Sequence, residues 1–245
     1  PIEKKIVNPM NSFNITTFNR ISDKGLGLFR PDRYALGESS ENPDAYVLRS
    51  QKLHGEPLPA GLLAIARAGA GVNNIPVEDC TAQGVVVFNT PGANANAVKE
   101  LVAAGLLLGS RDIFGGMAFV QGLQEVTDAA EMSRLLEAEK KRFAGSEIAG
   151  KTLGVVGLGA IGAMVANLAL ELGMKVVGYD PAISVEAAWR LSSQVQKVDS
   201  LQALLAISDF VTLHIPANEH TQGLMNSEAF DAMRDGACLL NFARE

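Results

Sequence analysis

The chain contains few residues of the kinds that build covalent cross-links or metal sites. It has two cysteines and three histidines among 245 residues. Cys80 and Cys238 lie far apart in the sequence and match no metal-ligand spacing, which excludes a disulfide framework and a cysteine-based metal site as organising features. We therefore expect two free thiols in a reducing compartment, the cytoplasm, and no bound metal.

Basic charge and long apolar runs are scarce as well. Lysine and arginine number 21 against 27 acidic residues, for a net charge of −6, whereas a nucleic-acid-binding protein would present a basic patch. The longest apolar stretch, residues 101–109, is too short to cross a bilayer. Residues 1–15 contain no apolar core of a signal peptide. These absences predict a protein with no nucleic-acid partner and no membrane partner.

Apolar residues, by contrast, make up 47% of the chain, and 245 residues suit two domains better than one. Strand-like segments alternate with helical segments along the sequence. Strands are predicted at residues 13–18, 45–48, 62–67, 85–88, 210–215 and 237–241, and helices at residues 76–83, 95–110, 128–143, 201–206 and 227–233, the last with Ser227 as its N-cap. This alternation predicts an α/β fold with parallel sheets covered by helices.

The sequence also predicts where the two domains meet. The segment TPG at residues 90–92 interrupts the pattern, as proline and glycine do at boundaries. We expect one domain in residues 1–92 and a second in residues 93–245, within which a Rossmann-like unit starts at Lys151. Both are expected to be parallel-sheet α/β domains of the Rossmann-like or flavodoxin-like type.

The most informative segment is GVVGLGAIG at residues 154–162, where an apolar run leads into a G-x-G-x-x-G loop. Gly157 permits a tight turn, Gly159 lets the backbone approach a pyrophosphate, and Gly162 lets the next helix pack against the strand. The start of that helix presents N–H groups and partial positive charge to phosphates. The segment predicts a dinucleotide site, although a βαβ unit that binds nothing can carry the same glycines.

A second apolar run, residues 175–179, ends in Asp180, which lies 18 residues beyond Gly162. A carboxylate at this position accepts hydrogen bonds from ribose hydroxyls. The same carboxylate would repel a 2′-phosphate. The sequence therefore predicts NAD as the cofactor in preference to NADP.

Six segments taken together resemble the D-isomer-specific 2-hydroxyacid dehydrogenase family. They are GAGVNNI at 69–75, FNTPGANANAVKEL at 88–101, GVVGLGAIG at 154–162, GYDP at 178–181, VTLHIP at 211–216 and LNFAR at 240–244. The resemblance implies hydride transfer between C2 of a 2-hydroxy acid and C4 of the nicotinamide of NAD. It implies a substrate domain in residues 1–92, an NAD-binding domain in residues 93–245, and a homodimer. The sequences of these segments are most similar to those of members that oxidise 3-phosphoglycerate to 3-phosphooxypyruvate in serine biosynthesis.

The resemblance also implies the residues that form the site. For the substrate these are Arg49, Ser50, Asn96 and the loop residues Ala70, Gly71, Val72 and Asn73. Arg49 could equally be a solvated surface arginine, and the glycines of the loop could serve turn geometry alone. For the cofactor they are Val98, Gly157, Gly159, Ala160, Ile161, Gly162, Tyr179, Asp180, Pro181, His214, Ile215, Pro216, Thr221, Asn241, Ala243 and Arg244.

Arg244 matches the family's catalytic arginine, which grips the substrate carboxylate and polarises the 2-oxo group. A planar, always-charged guanidinium suits that role. The family's acid/base histidine and its orienting glutamate lie downstream of this arginine, and Glu245 matches neither. We therefore expect the 245 residues to be an incomplete form, with both domains lacking their closing segment. His214 is predicted to lie in the cofactor pocket and not to be the acid/base.

The unmatched histidine and glutamate leave other interpretations open. One is an NAD-sensing or partner-binding protein without turnover, as the transcriptional corepressors that resemble this family show is possible on the same fold. Another is a degenerate product that folds badly. Turnover of a 2-hydroxy acid with NAD would separate the dehydrogenase from both.

Overall fold

A computed structural model of the protein describes residues 12–243, so Arg244 and Glu245 lie outside the described residues. The chain divides into two compact units, with the division between Ala93 and Asn94. Each unit contains one five-stranded sheet, and all the strand pairs are parallel. The predicted α/β fold with two parallel sheets is therefore confirmed.

The first unit has the strand order β2-β1-β3-β4-β5, which is that of a flavodoxin-like sheet. Its elements are β1 (Phe13–Thr17), α1 (Asp23–Leu26), β2 (Tyr34–Gly37), β3 (Ala45–Leu48), β4 (Ala64–Arg67), α2 (Val77–Gln83) and β5 (Val86–Phe88). A cluster of buried apolar side chains, among them Leu48, Ile65 and Val85, packs this sheet against its connections. Because the strands are parallel, their carboxyl ends meet at one edge, and the loops at that edge carry the candidate substrate residues.

The second unit has the order β10-β9-β6-β7-β8. When the unit's own strands are numbered 1 to 5 and the sheet is read from the β8 edge, the order is 3-2-1-4-5, that of a Rossmann sheet. Its elements are α3 (Ala95–Ser110), α4 (Ile113–Gly122), α5 (Ala129–Glu139), a 3₁₀ helix (Lys140–Phe143), β6 (Thr152–Val156), α6 (Ala160–Glu171), β7 (Lys175–Tyr179), α7 (Val185–Ala188), β8 (Gln196–Lys197), α8 (Leu201–Ile207), β9 (Phe210–Leu213), α9 (Ser227–Asp231) and β10 (Cys238–Asn241). The chain order reverses direction between β7 and β9, on either side of β6, and ligands of such sheets bind at that switch point.

Helices cover both faces of the second sheet. Alternation along a strand sends successive side chains to opposite faces. On β9, Phe210 packs into a cluster with residues of α3 and α6, whereas Val211 and Leu213 pack with residues of α8 and α9. Residues two apart on a strand share a face, so Thr212 and His214 lie on the same side of the sheet as Phe210. This is the side of α3 and α6, where the glycine-rich loop begins.

Two features of the helices differ from expectation. The N-cap of α9 is Asn226, not the predicted Ser227, since the Asn226 side chain accepts a hydrogen bond from the Ala229 N–H at 2.9 Å. Both residue types cap well, and only the backbone geometry decides between neighbours. Within residues 12–243 no single helix is long and apolar enough to cross a membrane, and α3 with α4 passes that test only as a pair bent by 65°.

Candidate functional site

The glycine loop, residues 157–162, connects β6 to α6 at the carboxyl edge of the second sheet. Gly157 has a φ of +87°, and a Cβ there would lie 2.7 Å from the carbonyl oxygen of His214. A Cβ at Gly162 would collide with the carbonyl oxygen of Gly157. Glycine is therefore required at Gly157 and Gly162 by the packing of the loop against its own neighbours.

Gly159 differs from these two glycines. It is exposed, and a Cβ there would meet no atom within 4 Å. Gly159 is also the N-cap of α6, with no side chain to accept the first N–H groups of that helix. The open space therefore faces an uncapped helix start with its partial positive charge, an arrangement that favours a phosphate group.

Asp180 lies immediately after β7 and is hydrogen-bonded to the glycine loop. Its Oδ2 accepts from the Leu158 N–H at 2.8 Å, and its Oδ1 accepts from the Ala182 N–H at 2.9 Å. A carboxylate has about four acceptor positions, so two remain for ribose hydroxyls. The loop with its open Gly159, the uncapped helix and the carboxylate together fit a dinucleotide. Gly159 and the start of α6 would hold its pyrophosphate, and Asp180 would hold its ribose.

Five predicted cofactor residues line one cavity of about 670 Å³ near the ends of β9 and β10. They are Ile215, Pro216, Thr221, Asn241 and Ala243. The Thr221 hydroxyl donates to the carbonyl oxygen of Pro216 at 2.5 Å, and Asn241 Oδ1 accepts from the Ala243 N–H at 3.0 Å. These two hydrogen bonds hold the cavity wall. The wall is a second group of predicted cofactor residues, besides the glycine loop.

His214 lies beside both groups, since its backbone carbonyl lies against Gly157 and Ile215 of the cavity wall follows it. Its Nε2 lies 3.0 Å from the hydroxyl of Thr212, two residues earlier on the same face of β9. Burial lowers the pKa of His214 to about 4, because the charged imidazolium loses its solvation. His214 is therefore neutral at physiological pH, and a buried, uncharged imidazole fits the predicted place in the cofactor pocket.

The low pKa of His214 predicts a pH-dependent stability. Since the pKa falls from about 6.5 in the unfolded chain to about 4 in the native state, the native state binds fewer protons between these values. The free energy of unfolding should therefore decrease as the pH falls from 6.5 to 4. Urea unfolding at several pH values should show a shallower decrease in His214→Gln than in the wild type. The exposed His220, replaced by Gln, is the control, and an equal slope in all three proteins would contradict the prediction.

Arg49 and Ser50 follow β3 in the first unit, and both are exposed. No described residue forms an ion pair or a hydrogen bond with the guanidinium of Arg49. An exposed cation without an acidic neighbour is available to an anionic ligand.

The 70–73 loop follows β4 and has a one-sided pattern of hydrogen bonds. Its four carbonyl oxygens accept, in order, from Asn89 Nδ2, from the Arg67 guanidinium, from the Ile75 N–H and from His54 Nε2. None of the four N–H groups donates to another residue in the range 12–243. Consecutive backbone N–H groups without an acceptor are available to an anionic ligand.

Arg67 was not predicted as a site residue, yet its side chain connects the segment after β3, at Arg49, to the 70–73 loop. It ends β4 and is 4% exposed. Its Nε donates to the carbonyl oxygen of Arg49 at 3.1 Å, and its Nη1 donates to the carbonyl oxygen of Gly71. The only sequence signal is an arginine in an otherwise apolar strand, since the pairing depends on which loops the sheet brings together.

Two predicted residues at the start of α3 have side chains that are engaged locally. Asn96 donates to Glu100 Oε1 at 2.7 Å and accepts from Lys99 Nζ at 2.7 Å. Val98 packs against the cluster that includes Val102. Arg244 lies outside the described residues, so its role stays a prediction. In the described part of the chain no three His, Cys, Asp or Glu side chains are grouped to hold a metal ion.

Comparison with known families identifies the second unit. The family model described as "D-isomer specific 2-hydroxyacid dehydrogenase, NAD binding domain" matches residues 116–245. A hydroxypyruvate reductase of Thermotoga maritima is 39% identical over 204 residues, which are 82% of this chain and 60% of the relative. A D-3-phosphoglycerate dehydrogenase of Methanocaldococcus jannaschii is 38% identical over 183 residues, 75% of this chain and 32% of the relative. The chain thus spans between about a third and three fifths of the length of these relatives.

Solved structures share the fold. The TT0316 protein from Thermus thermophilus matches with a TM-score of 0.73 and 27% identity, over 95% of this chain and 74% of that one. The NAD+-bound 3-phosphoglycerate dehydrogenase of Entamoeba histolytica matches with a TM-score of 0.67 and 25% identity, over 95% of this chain and 72% of that one. The sequence comparisons thus identify the NAD-binding domain, and the solved structures share the fold of the chain.

Proposed function

The chain belongs to the D-isomer-specific 2-hydroxyacid dehydrogenase family and is NAD-dependent, and from this premise we propose that it oxidises 3-phosphoglycerate to 3-phosphooxypyruvate. The observation that carries the proposal is the 70–73 loop, whose four N–H groups have no acceptor among residues 12–243. The loop lies in the same unit as Arg49, whose guanidinium has no partner among those residues either. Such an arrangement suits an acid with an anion at each end. Identity of 38% to D-3-phosphoglycerate dehydrogenases supports the same choice.

Each residue has a definite task in this proposal. The N–H groups of the 70–73 loop bind the substrate carboxylate, and Arg49 with Ser50 binds the phosphate. The glycine loop holds the pyrophosphate of NAD, and Asp180 holds the ribose. NAD supplies the hydride acceptor at C4 of its nicotinamide, and the hydride leaves C2 of the acid. Arg244 would polarise the C2 oxygen, and the group that takes the hydroxyl proton is not assigned to a residue of this sequence.

The proposal is tested by the formation of NADH with 3-phosphoglycerate and with D-glycerate, which lacks the phosphate. We expect a lower KM for 3-phosphoglycerate. Arg49→Ala should raise that KM by about 10- to 100-fold, the loss of a charge-assisted contact of about 1.5–3 kcal/mol, and should leave the KM for D-glycerate within about threefold. Arg33→Ala, at another exposed arginine of the first unit, is the control.

A hydroxypyruvate reductase is the second candidate, because one such relative is 39% identical. Hydroxypyruvate has the same three carbons without the phosphate. Equal KM values with and without phosphate, unchanged by Arg49→Ala, would favour this candidate. NAD binding without turnover of any of these acids would favour the NAD-sensing alternative instead.

We also propose a homodimer that forms through α3 and α4. The apolar face consists of Leu101, Leu107, Leu108, Ile113, Phe114, Met117 and Val120, which are all exposed in the single chain. Large apolar side chains exposed on neighbouring helices are typical of interaction surfaces. Phe114 is the most exposed of them at 68%. As the location of the protein and of its serine biosynthesis we propose the cytoplasm. The two cysteines are free, and free thiols fit a reducing compartment.

The dimer proposal predicts that Phe114→Asp gives a monomer, because a charge within an apolar contact is desolvated without a partner. Analytical ultracentrifugation should show twice the chain mass for the wild type and the chain mass for the variant. Trp189→Ser, at an apolar residue on α7's carboxyl side that is 85% exposed, should remain a dimer. A monomeric wild type at micromolar concentration would be evidence against the proposal.

A further inference from the structure

Asn19 follows β1 and has an unusual backbone. Its φ is +65°, and it is the only non-glycine residue with a positive φ in the described part of the chain. Asparagine tolerates this left-handed region better than most residues do, yet a non-glycine residue there still signals a local constraint. The constraint comes from the side chain, which lies against the segment that follows β3.

The side-chain oxygen of Asn19 accepts hydrogen bonds from three consecutive backbone N–H groups. The distances are 2.8 Å to Ser50, 2.8 Å to Gln51 and 3.4 Å to Arg49. This segment, residues 49–51, is called the arginine turn below. It lies outside any strand, so no ladder of backbone hydrogen bonds fixes it.

Two further side chains hold the carbonyl groups of the arginine turn. Arg67 Nε donates to the carbonyl oxygen of Arg49 at 3.1 Å, and Asn74 Nδ2 donates to the carbonyl oxygen of Gln51 at 2.6 Å. Five backbone groups of three residues are thus fixed by side chains from β4, from the loop after β4 and from the end of β1. Asn19 is the member of this set that holds all three N–H groups.

We propose that Asn19 is a positioning residue that aims Arg49 and Ser50 at the anionic group of the substrate. The inference rests on the proposed function for the anion that Arg49 binds. Fixing the backbone of residues 49–51 leaves only the side-chain torsions of Arg49 to be ordered on binding, which lowers the entropy cost. A neutral acceptor is needed, because a carboxylate at residue 19 would offset the charge of Arg49.

The experiment compares the full wild-type chain with Asn19→Gly and measures amide exchange, kinetics and NAD affinity. Glycine adopts a φ of +65° without strain, so this variant removes the acceptor without straining the backbone. The Ser50 and Gln51 amides should lose their protection from exchange. The KM for 3-phosphoglycerate should rise by about 10- to 100-fold, while kcat stays within about twofold and the Kd for NAD is unchanged. A KM that rises without kcat is not expected from general loss of structure.

Two variants serve as controls. Asn42→Gly changes an exposed asparagine of the same unit whose side chain donates to no described residue, and its KM should match the wild type. Asn19→Asp keeps the acceptor and tolerates the same backbone, so the two amides should stay protected. At 0.3 M salt, which screens the added charge, its KM should lie closer to the wild type than that of Asn19→Gly. This variant keeps the test valid if Asn19→Gly folds poorly.

The possible outcomes are distinct. Amides that stay protected in Asn19→Gly, or amides that lose protection while KM is unchanged, would overturn the positioning role. An equal rise of KM in Asn19→Asp and Asn19→Gly at high salt would do the same. A full-length wild-type protein that reduces no NAD with 3-phosphoglycerate or D-glycerate would contradict the proposed function itself, and the role of Asn19 would fail with it.

Discussion

Alanine at Gly162 is expected to abolish NAD binding and to destabilise the second unit, while alanine at Gly159 weakens NAD binding alone. At Gly162 the new methyl group collides with the backbone carbonyl of Gly157 and lies 3.3 Å from Val155 Cγ1. Backbone atoms cannot rotate away as a flexible side chain would. The loop must therefore separate from α6, and overpacking of this kind costs about 3 kcal/mol. The space that the pyrophosphate needs is lost with the loop geometry.

At Gly159 the methyl group meets no protein atom within 4 Å, so the free energy of unfolding should stay within about 0.5 kcal/mol of the wild type. The methyl group would instead occupy the space next to the pyrophosphate. Losing one or two hydrogen bonds to a charged group, about 1.5–3 kcal/mol, raises the Kd for NAD by about 10- to 100-fold.

Urea unfolding and calorimetric titration with NAD separate these two effects. Gly61→Ala, at a glycine with open space in the first unit, is the control for both measurements. If Gly159→Ala were the less stable variant, or if Gly162→Ala bound NAD as the wild type does, the assignment of the two glycines would be wrong.

The sequence predicted the central elements because they carry their own signals. β3 and α3 have the bounds that were predicted for them, Ala45–Leu48 and Ala95–Ser110. Both combine a clear apolar pattern with distinct ends. The glycine loop and Asp180 were predicted for a similar reason, since spacing along one chain segment determines which of their atoms can meet.

The elements that the sequence did not predict depend on partners elsewhere in the chain. β2 and β8 are edge strands with the short sequences YALG and QK, and neither alternates in polarity. Only pairing with β1 and β7 makes them strands. Helix α4 contains Gly115 and Gly116, which disfavour helix, and it forms behind an N-cap at Asp112.

The same distinction applies within the candidate site. Arg67 and Asn19 hold the arginine turn from two other parts of the sheet, at sequence separations of 18 and about 30 residues. No motif records such contacts, because many residue pairs could supply them. Sequence patterns thus give the residues that meet a ligand more readily than the residues that hold them in place.

Replacing Asp180 should change the choice between NAD and NADP, and its amide and alanine variants should differ for a structural reason. In Asp180→Asn one side-chain oxygen remains to accept the Leu158 N–H, so the glycine loop keeps its tether while the negative charge is lost. The repulsion of a 2′-phosphate disappears with that charge. The ratio of the Kd for NADP to the Kd for NAD should therefore fall by about tenfold or more.

Asp180→Ala removes the tether as well as the charge. The hydrogen bond to Leu158 and those to the ribose are lost together, so the Kd for NAD should rise by about 100-fold, and more than in Asp180→Asn. Asp199→Asn, at an exposed aspartate of the same unit whose ion pair is with Lys197, should change neither constant. Titration of each variant with NAD and NADP gives both constants directly. Equal NAD affinity in the amide and alanine variants would show that the bond to Leu158 does not support the loop, and an unchanged NADP-to-NAD ratio in both would show that the carboxylate does not select the cofactor.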